Sequence, residues 1–343
     1  MRCLGLALVL CALWCSAASA RVERFAVLIG NDVGEPNERP LRFATSDAAR
    51  VYRVLRELGD FEPMNMVLLQ NESVATVRST LLTVNARVRD AVSRPDTDVL
   101  LFVYYSGHAD TDDLHLGGSR LPVHELAQFV RGSAAKFRLG VFDACRSGSL
   151  TQLKGGHVVD PFALPQDRLP SDGLAFLTAS ANDEDAQESE VLQASFFTHA
   201  FVSGLLGAAD RDQDGRVSLE EAYRYAYDVT RRATTRTEAG TQHPSFRYDY
   251  RGSGDIVLTR PSAHAATRTR LVFPAGMGFM VLRGGRQGAV IAELAADAPE
   301  RSLSVPPGQY FILARGADVL FEGAVSAHPG ASLAVEPDAM ERI

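Results

Sequence analysis

The sequence predicts an α/β protein: a mostly parallel six-stranded sheet flanked by helices, followed by a small all-β domain. Three observations carry this. Short apolar runs recur along the first 260 residues with little polar alternation, as strands buried on both faces require. Segments of helical spacing separate those runs, the pattern of parallel strands joined by crossovers. Beyond Arg260-Pro261-Ser262 the runs shorten, alternate and are divided by Gly and Pro, which indicates a small β-sandwich.

Taken in order, Arg24–Gly30 (RFAVLIG) is a short apolar run ending in Gly-Asn, a buried-strand signal. Ser46–Leu58 places Ala49, Val51, Leu55 and Leu58 near helical spacing and stops at Gly59. Asn65–Leu69 is a second strand, and Ser73–Val92 a long helix with Ser73 as its N-cap. Asp98–Ser106 (DVLLFVYYS) is a third strand, Pro122–Val130 a helix, Arg138–Ala144 a fourth strand and Gly173–Ser180 a fifth. Ser195–Ala208 and Ser218–Arg232 are helices, and Asp255–Thr259 is the expected sixth strand. The domain boundaries that follow are 21–260 for the α/β part and 267–343 for the β part.

The net charge of -7 and pI near 5.7 argue against nucleic-acid binding, which favours basic patches. Residues 1–20 have Arg2, an apolar run from Leu4 to Trp14, and the small residues Ala18-Ser19-Ala20. This is the pattern of a secretory signal peptide, so the mature chain is expected to start near Arg21 and to be secreted or periplasmic. An uncleaved anchor would need a run about twice as long. A lipoprotein would need a small residue where Leu10 and Trp14 precede Cys11 and Cys15. No second stretch reaches membrane length, so no span is expected in the mature chain.

Of four cysteines, Cys3, Cys11 and Cys15 lie in that leader, leaving Cys145 without an internal disulfide partner. A lone thiol in an oxidising compartment is either buried or used. Strand three ends in Ser106-Gly107-His108 and strand four in Asp143-Ala144-Cys145, so the imidazole and the thiol reach the same edge of the sheet. Ligands of open parallel sheets bind at that edge. A thiol nucleophile needs a base and donors for the oxyanion of the tetrahedral intermediate. Cys145 precedes Arg146-Ser147-Gly148, which suit a tight turn, and Arg146 would help ionise the thiol. His243, before Pro244, is the other candidate base, but only His108 stands at a strand end.

Tyr104-Tyr105-Ser106-Gly107-His108 and Asp143-Ala144-Cys145-Arg146-Ser147-Gly148 resemble the two active-site motifs of the caspase-like cysteine peptidases. The likeness is nearer to metacaspases and their bacterial relatives than to animal caspases, and it covers roughly Arg24 to Arg260. The resemblance implies a caspase-like fold, protein or peptide substrates, Cys145 as nucleophile and His108 as general base. It implies an oxyanion hole from the backbone N–H groups of Ala109 and Cys145. The family usually has glycine where this chain has Ala109, a change that leaves the N–H in place. The resemblance further implies that Asp47, Ser106 and Asp143 line the S1 pocket. Two carboxylates there would favour Arg or Lys at P1 and repel Asp. Residues Ser149–Asp172 correspond to the linker often cut on activation, with Lys154 and Arg168 as candidate self-cleavage sites.

Asp210 to Glu221 (DRDQDGRVSLEE) fits the twelve-residue EF-hand loop. Asp210, Asp212 and Asp214 take positions 1, 3 and 5, Gly215 the turn at 6, the Arg216 carbonyl position 7, Ser218 position 9 and Glu221 position 12. One bound Ca2+ is expected, structural rather than switching, since sensor EF-hands usually come in pairs. The reading is an exported cysteine endopeptidase. Its rivals are a catalytically silent caspase-like binding or scaffold module and a thiol enzyme acting on another acyl group. The oligomeric state is not readable from these residues.

Overall fold

The computed structural model describes residues 21–144, 157–158, 172–181, 184–251, 255–296 and 301–343. The expected signal peptide, Cys145, Lys154 and Arg168 lie outside the described residues. The chain opens with β1 (Arg21–Asn31), α1 (Ala44–Leu58), β2 (Met66–Gln70), α2 (Val74–Val92) and β3 (Thr97–Gly107). A hairpin, β4 (Asp113–Leu116) and β5 (Ser119–Pro122), leads to α3 (Val123–Arg131) and β6 (Phe137–Asp143). Then come β7 (His157–Val158), β8 (Asp172–Thr178), a second hairpin of β9 (Glu188–Ser189) and β10 (Ala194–Ser195), and α4 (Phe196–Ser203). The α/β part closes with β11 (Val217–Ser218), α5 (Leu219–Thr234), β12 (Ser245–Arg251) and β13 (Val257–Thr259).

The main sheet has the order β2-β1-β3-β6-β8-β12-β7. It is parallel from β2 to β8, while β12 pairs antiparallel with β8 and the two-residue β7 antiparallel with β12. The strand period of two divides each strand between two cores. Ala26, Leu28, Phe102, Tyr104, Leu139 and Val141 pack with α1, α4 and α5. Val27, Ile29, Val103, Tyr105 and Phe142 pack with α2 and α3 on the opposite face. Helices thus cover both faces of the sheet, giving three layers. Ser73 caps α2 by accepting from the Thr76 N–H at 3.2 Å.

One expected strand is placed differently. The sixth strand of the sheet is β12, not Asp255–Thr259, whose residues Val257–Thr259 pair instead with β11. In β12 (SFRYDYR) apolar and polar residues alternate, with Phe246 and Tyr248 on the core. An antiparallel strand needs only one apolar face, so it lacks the continuous run that marks its parallel neighbours. The helix expected to reach Ala208 also ends early, at Ser203, and continues as a wide turn over Gly204–Ala208. Gly207 sits there at φ 120, where a side chain would meet the Ser302 carbonyl.

The C-terminal part comprises β14 (Thr269–Phe273), β15 (Gly278–Arg283), β16 (Ala289–Leu294), β17 (Arg301–Val305), β18 (Gly308–Arg315), β19 (Leu320–Ala327), β20 (Ser332–Ala334) and β21 (Glu341–Arg342). They form a three-stranded sheet, β17-β14-β20, and a five-stranded sheet, β16-β15-β18-β19-β21. Leu271, Phe273 and Leu303 of the first meet Phe279, Val281 and Ile312 of the second. The same apolar core continues into α1, α4 and α5, so this part is packed on the α/β part rather than tethered to it. Arg268 pairs with Glu57 at 2.6 Å across the junction. Among the described residues, no helix is long and apolar enough to cross a membrane.

Candidate active site

β3 delivers His108 to the carboxyl edge of the sheet, and the loop between β1 and α1 closes over it. The His108 Nε2–H donates to the Arg39 carbonyl at 2.9 Å. A carbonyl can only accept, so Nε2 carries a proton, and in the neutral form of the ring the lone pair is on Nδ1. The His108 carbonyl accepts from the Tyr105 hydroxyl at 2.7 Å and from the His115 N–H at 3.0 Å. Gly34 lies against the ring, where a Cβ would stand 2.6 Å from His108 Cδ2. A carboxylate oxygen of Glu38 is 3.9 Å from His108 Nδ1 and 2.8 Å from His115 Nδ1. The other His115 nitrogen faces Asp110 at 3.2 Å. Neither Glu38 nor His115 is distinguishable in sequence from other polar loop residues; only the folding of the loop onto the hairpin unites them with His108.

Ala109 forms an isolated antiparallel bridge with Leu114. The flanking bonds run from His115 N–H to the His108 carbonyl and from Asp110 N–H to the Asp113 carbonyl. Ala109 therefore occupies the non-hydrogen-bonded position, and its N–H points away from the partner strand. His243, the other candidate base, is occupied: Nδ1 lies 2.6 Å from Glu184, which also accepts the His243 N–H.

Asp47, in the first turn of α1, and Asp143, at the end of β6, are both buried, with 0% and 3% of their surface exposed. Ser106 is buried beside Asp143, its register partner across β3 and β6. One residue links the two carboxylates. The Ser195 N–H donates to Asp47 at 2.8 Å, while its hydroxyl makes a short bond to Asp143. Thr198 also donates its hydroxyl to Asp143. Ser195 is at the same time the N-cap of α4, accepting from the Thr198 N–H at 3.0 Å. Burial, opposed in part by those two hydroxyls, pushes Asp143 up to about 6. Burial and the neighbouring Asp143 raise Asp47 well above the usual carboxylate range. The second Asp47 oxygen, Oδ1, has no hydrogen-bond partner among the described residues. In the sequence, Ser195 and Thr198 stand out only as positions of the helix expected over Ser195–Ala208.

In the 210–221 loop, carboxylate oxygens of Asp210, Asp212 and Asp214 lie within 4.8 Å of one another. Gly215 takes φ +81 and donates its N–H to Asp210 at 3.0 Å. Asp210 Oδ1 is buried without a partner among the described residues. Burial and Glu221 push Asp210 up to about 6. Glu221 accepts from the Arg211 and Ser218 N–H groups and forms a capping box with Ser218 at the start of α5. The exit of the loop, β11, pairs with β13, and Ser262 bonds the Gly215 carbonyl at 2.8 Å.

Residues 23–250, more than half of the chain, match a family model described as the caspase domain. The crystal structure of caspase-1 from Spodoptera frugiperda is similar at 12% identity and a TM-score of 0.49, covering 70% of this chain and 93% of that one. No curated protein matches the chain. The family match falls on the α/β part that carries both strand-end motifs, and the chain belongs to the caspase-domain family of cysteine peptidases.

Proposed function

We propose that the protein is an exported cysteine endopeptidase that cleaves after Arg or Lys, with His108 and Cys145 as its catalytic dyad. Within the family it is nearest to the metacaspases and their bacterial relatives, on the strength of Asp143 two residues before the cysteine. The observation that carries the specificity is the buried pair Asp47 and Asp143, with Asp47 Oδ1 lacking a partner among the described residues. A buried carboxylate oxygen without a donor is unfavourable, and a guanidinium or ammonium group supplies both charge and N–H.

In the reaction, His108 Nδ1 takes the Cys145 thiol proton, and the thiolate attacks the scissile carbonyl carbon. The Ala109 N–H and the Cys145 N–H receive the oxyanion. The imidazolium, held by the Arg39 carbonyl, gives its proton to the leaving amine as the C–N bond breaks. Water, deprotonated by His108, then hydrolyses the thioester and restores the thiol. The C-terminal part, residues 267–343, contributes no residue to this sequence. The pattern of residues 1–20 supports export, to a periplasm or outside the cell. Lys154 and Arg168 are the candidate self-cleavage sites, consistent with a basic P1.

The residues at 210–221 fit one Ca2+ ion. Asp210, Asp212 and Asp214 converge and Asp210 Oδ1 awaits a partner, while Glu221 and the Arg216 carbonyl are in sequence to complete the set. The ion would supply charge neutralisation and tie the loop to the start of α5.

The test is hydrolysis of fluorogenic peptides ending in Arg, Lys or Asp by wild type and Cys145→Ala, with and without calcium. Turnover after Arg and Lys, abolished in the variant, is the expected result. Turnover only after Asp would discard the pocket assignment. Folded protein without any turnover would favour the silent binding module.

A further inference from the structure

We propose that the C-terminal β part sets the shape of the S1 pocket, acting through the 188–195 hairpin, with Ser195 as the positioning residue. This rests on the reading of Asp47 and Asp143 as the P1 site. Two buried carboxylates held side by side repel, so something must fix their separation. Ser195 does so from one residue, through its N–H to Asp47 and its hydroxyl to Asp143. Its place is set by pairing with Glu188 across the hairpin and by capping α4.

The hairpin is anchored at both ends. On the pocket side, Glu188 accepts the N–H groups of Arg42 at 3.1 Å and Phe43 at 3.0 Å, just before α1 and Asp47. Arg50 of α1 donates to the Gln193 carbonyl at 2.8 Å. On the far side, Leu192 and Ala194 pack with Leu282 of β15 and Val290 of β16 in a separate buried cluster. Met280, Phe311 and Leu313 extend that cluster over the five-stranded sheet, on the face turned away from the sandwich interior. A sheet with apolar residues on both faces needs a cover on each. Here the second cover is the hairpin that carries Ser195. A shift of Leu192 on this sheet therefore moves Ser195, and with it the spacing of the two carboxylates.

The experiment measures kcat and KM of the mature full-length chain on a P1-Arg peptide for wild type, Leu192→Ala, Leu192→Met and Ser195→Ala. Leu192→Ala is expected to raise KM about tenfold with kcat within about twofold, and Leu192→Met to restore it. Ser195→Ala is expected to raise KM more than Leu192→Ala, since it removes a bond to a buried charge. Wild-type KM in Leu192→Ala, or a loss confined to kcat, overturns the proposal. Should Leu192→Ala fail to fold, the smaller change Val290→Ala carries the same test from the sheet side, with a KM rise of about threefold expected and an unchanged KM overturning the proposal. Failure of the underlying P1 reading shows separately, as a wild type that turns over neither Arg nor Lys peptides and so removes the proposal's basis.

Discussion

Burying Asp47 next to Asp143 disfavours their ionisation. In the unfolded chain both titrate near 4. In the folded chain Asp143 is pushed up to about 6 by burial, and Asp47 is raised as well by burial and by Asp143. The native state therefore holds protons that the unfolded state has released. The stability this confers is complete below about pH 4 and is lost as pH rises through about 6, a change on the order of 3 kcal/mol for Asp143. Asp143→Asn should accordingly gain stability over wild type between pH 4 and 8 in urea unfolding, and lose turnover of P1-Arg peptides by about a hundredfold or more. For the wild type, KM for a P1-Arg peptide should rise as pH falls below about 6, because the protonated pair no longer offers charge to the guanidinium.

The 210–221 loop shows how one element can stand without a twin. Its exit strand β11 pairs with β13, and Ser262 N–H and hydroxyl bond the Gly215 carbonyl. β13 thus gives the loop's exit a strand partner within the same part of the chain. A site braced in this way is suited to stabilisation more than to opening. Calcium at tenfold excess over its Kd should raise stability by about 1.4 kcal/mol, read as a higher melting temperature that chelator reverses. Asp210→Asn should weaken that response while leaving the fold intact in calcium-free buffer, where removal of a buried charge offsets the lost acceptor.

Across the whole molecule the two parts share one core. Phe201, Leu205 and Ala208 of the α/β part are fully buried in the cluster that also contains Leu271, Leu303 and Ala292. His199 is buried beside Glu293 of β16 at 3.7 Å, and burial, with Arg50 nearby, pushes it down to about 3, leaving a neutral imidazole. Tyr225 donates its hydroxyl to the Glu293 carbonyl. A chain cut after Arg260 would expose this apolar surface. It should aggregate, or melt well below the full chain, as seen by solubility and thermal unfolding.

The sequence by itself determined β1, β2, β3, β6 and β8, α2 with its Ser73 cap, and the placement of His108 and Asp143 at strand ends. These depend on local periodicity, capping residues and short motifs, all carried by neighbouring positions. It missed β12, whose alternation hides it among loops, and it assigned Val257–Thr259 to the wrong sheet. Only the tertiary structure decided that β13 braces the 210–221 loop, that Arg39 and Glu38 face His108, and that Ser195 joins Asp47 to Asp143. Ser195 is 148 positions from Asp47 and 52 from Asp143, and contacts of that range leave no periodic trace in the chain. They exist because the 188–195 hairpin packs between α1 and the five-stranded sheet, which brings the three together.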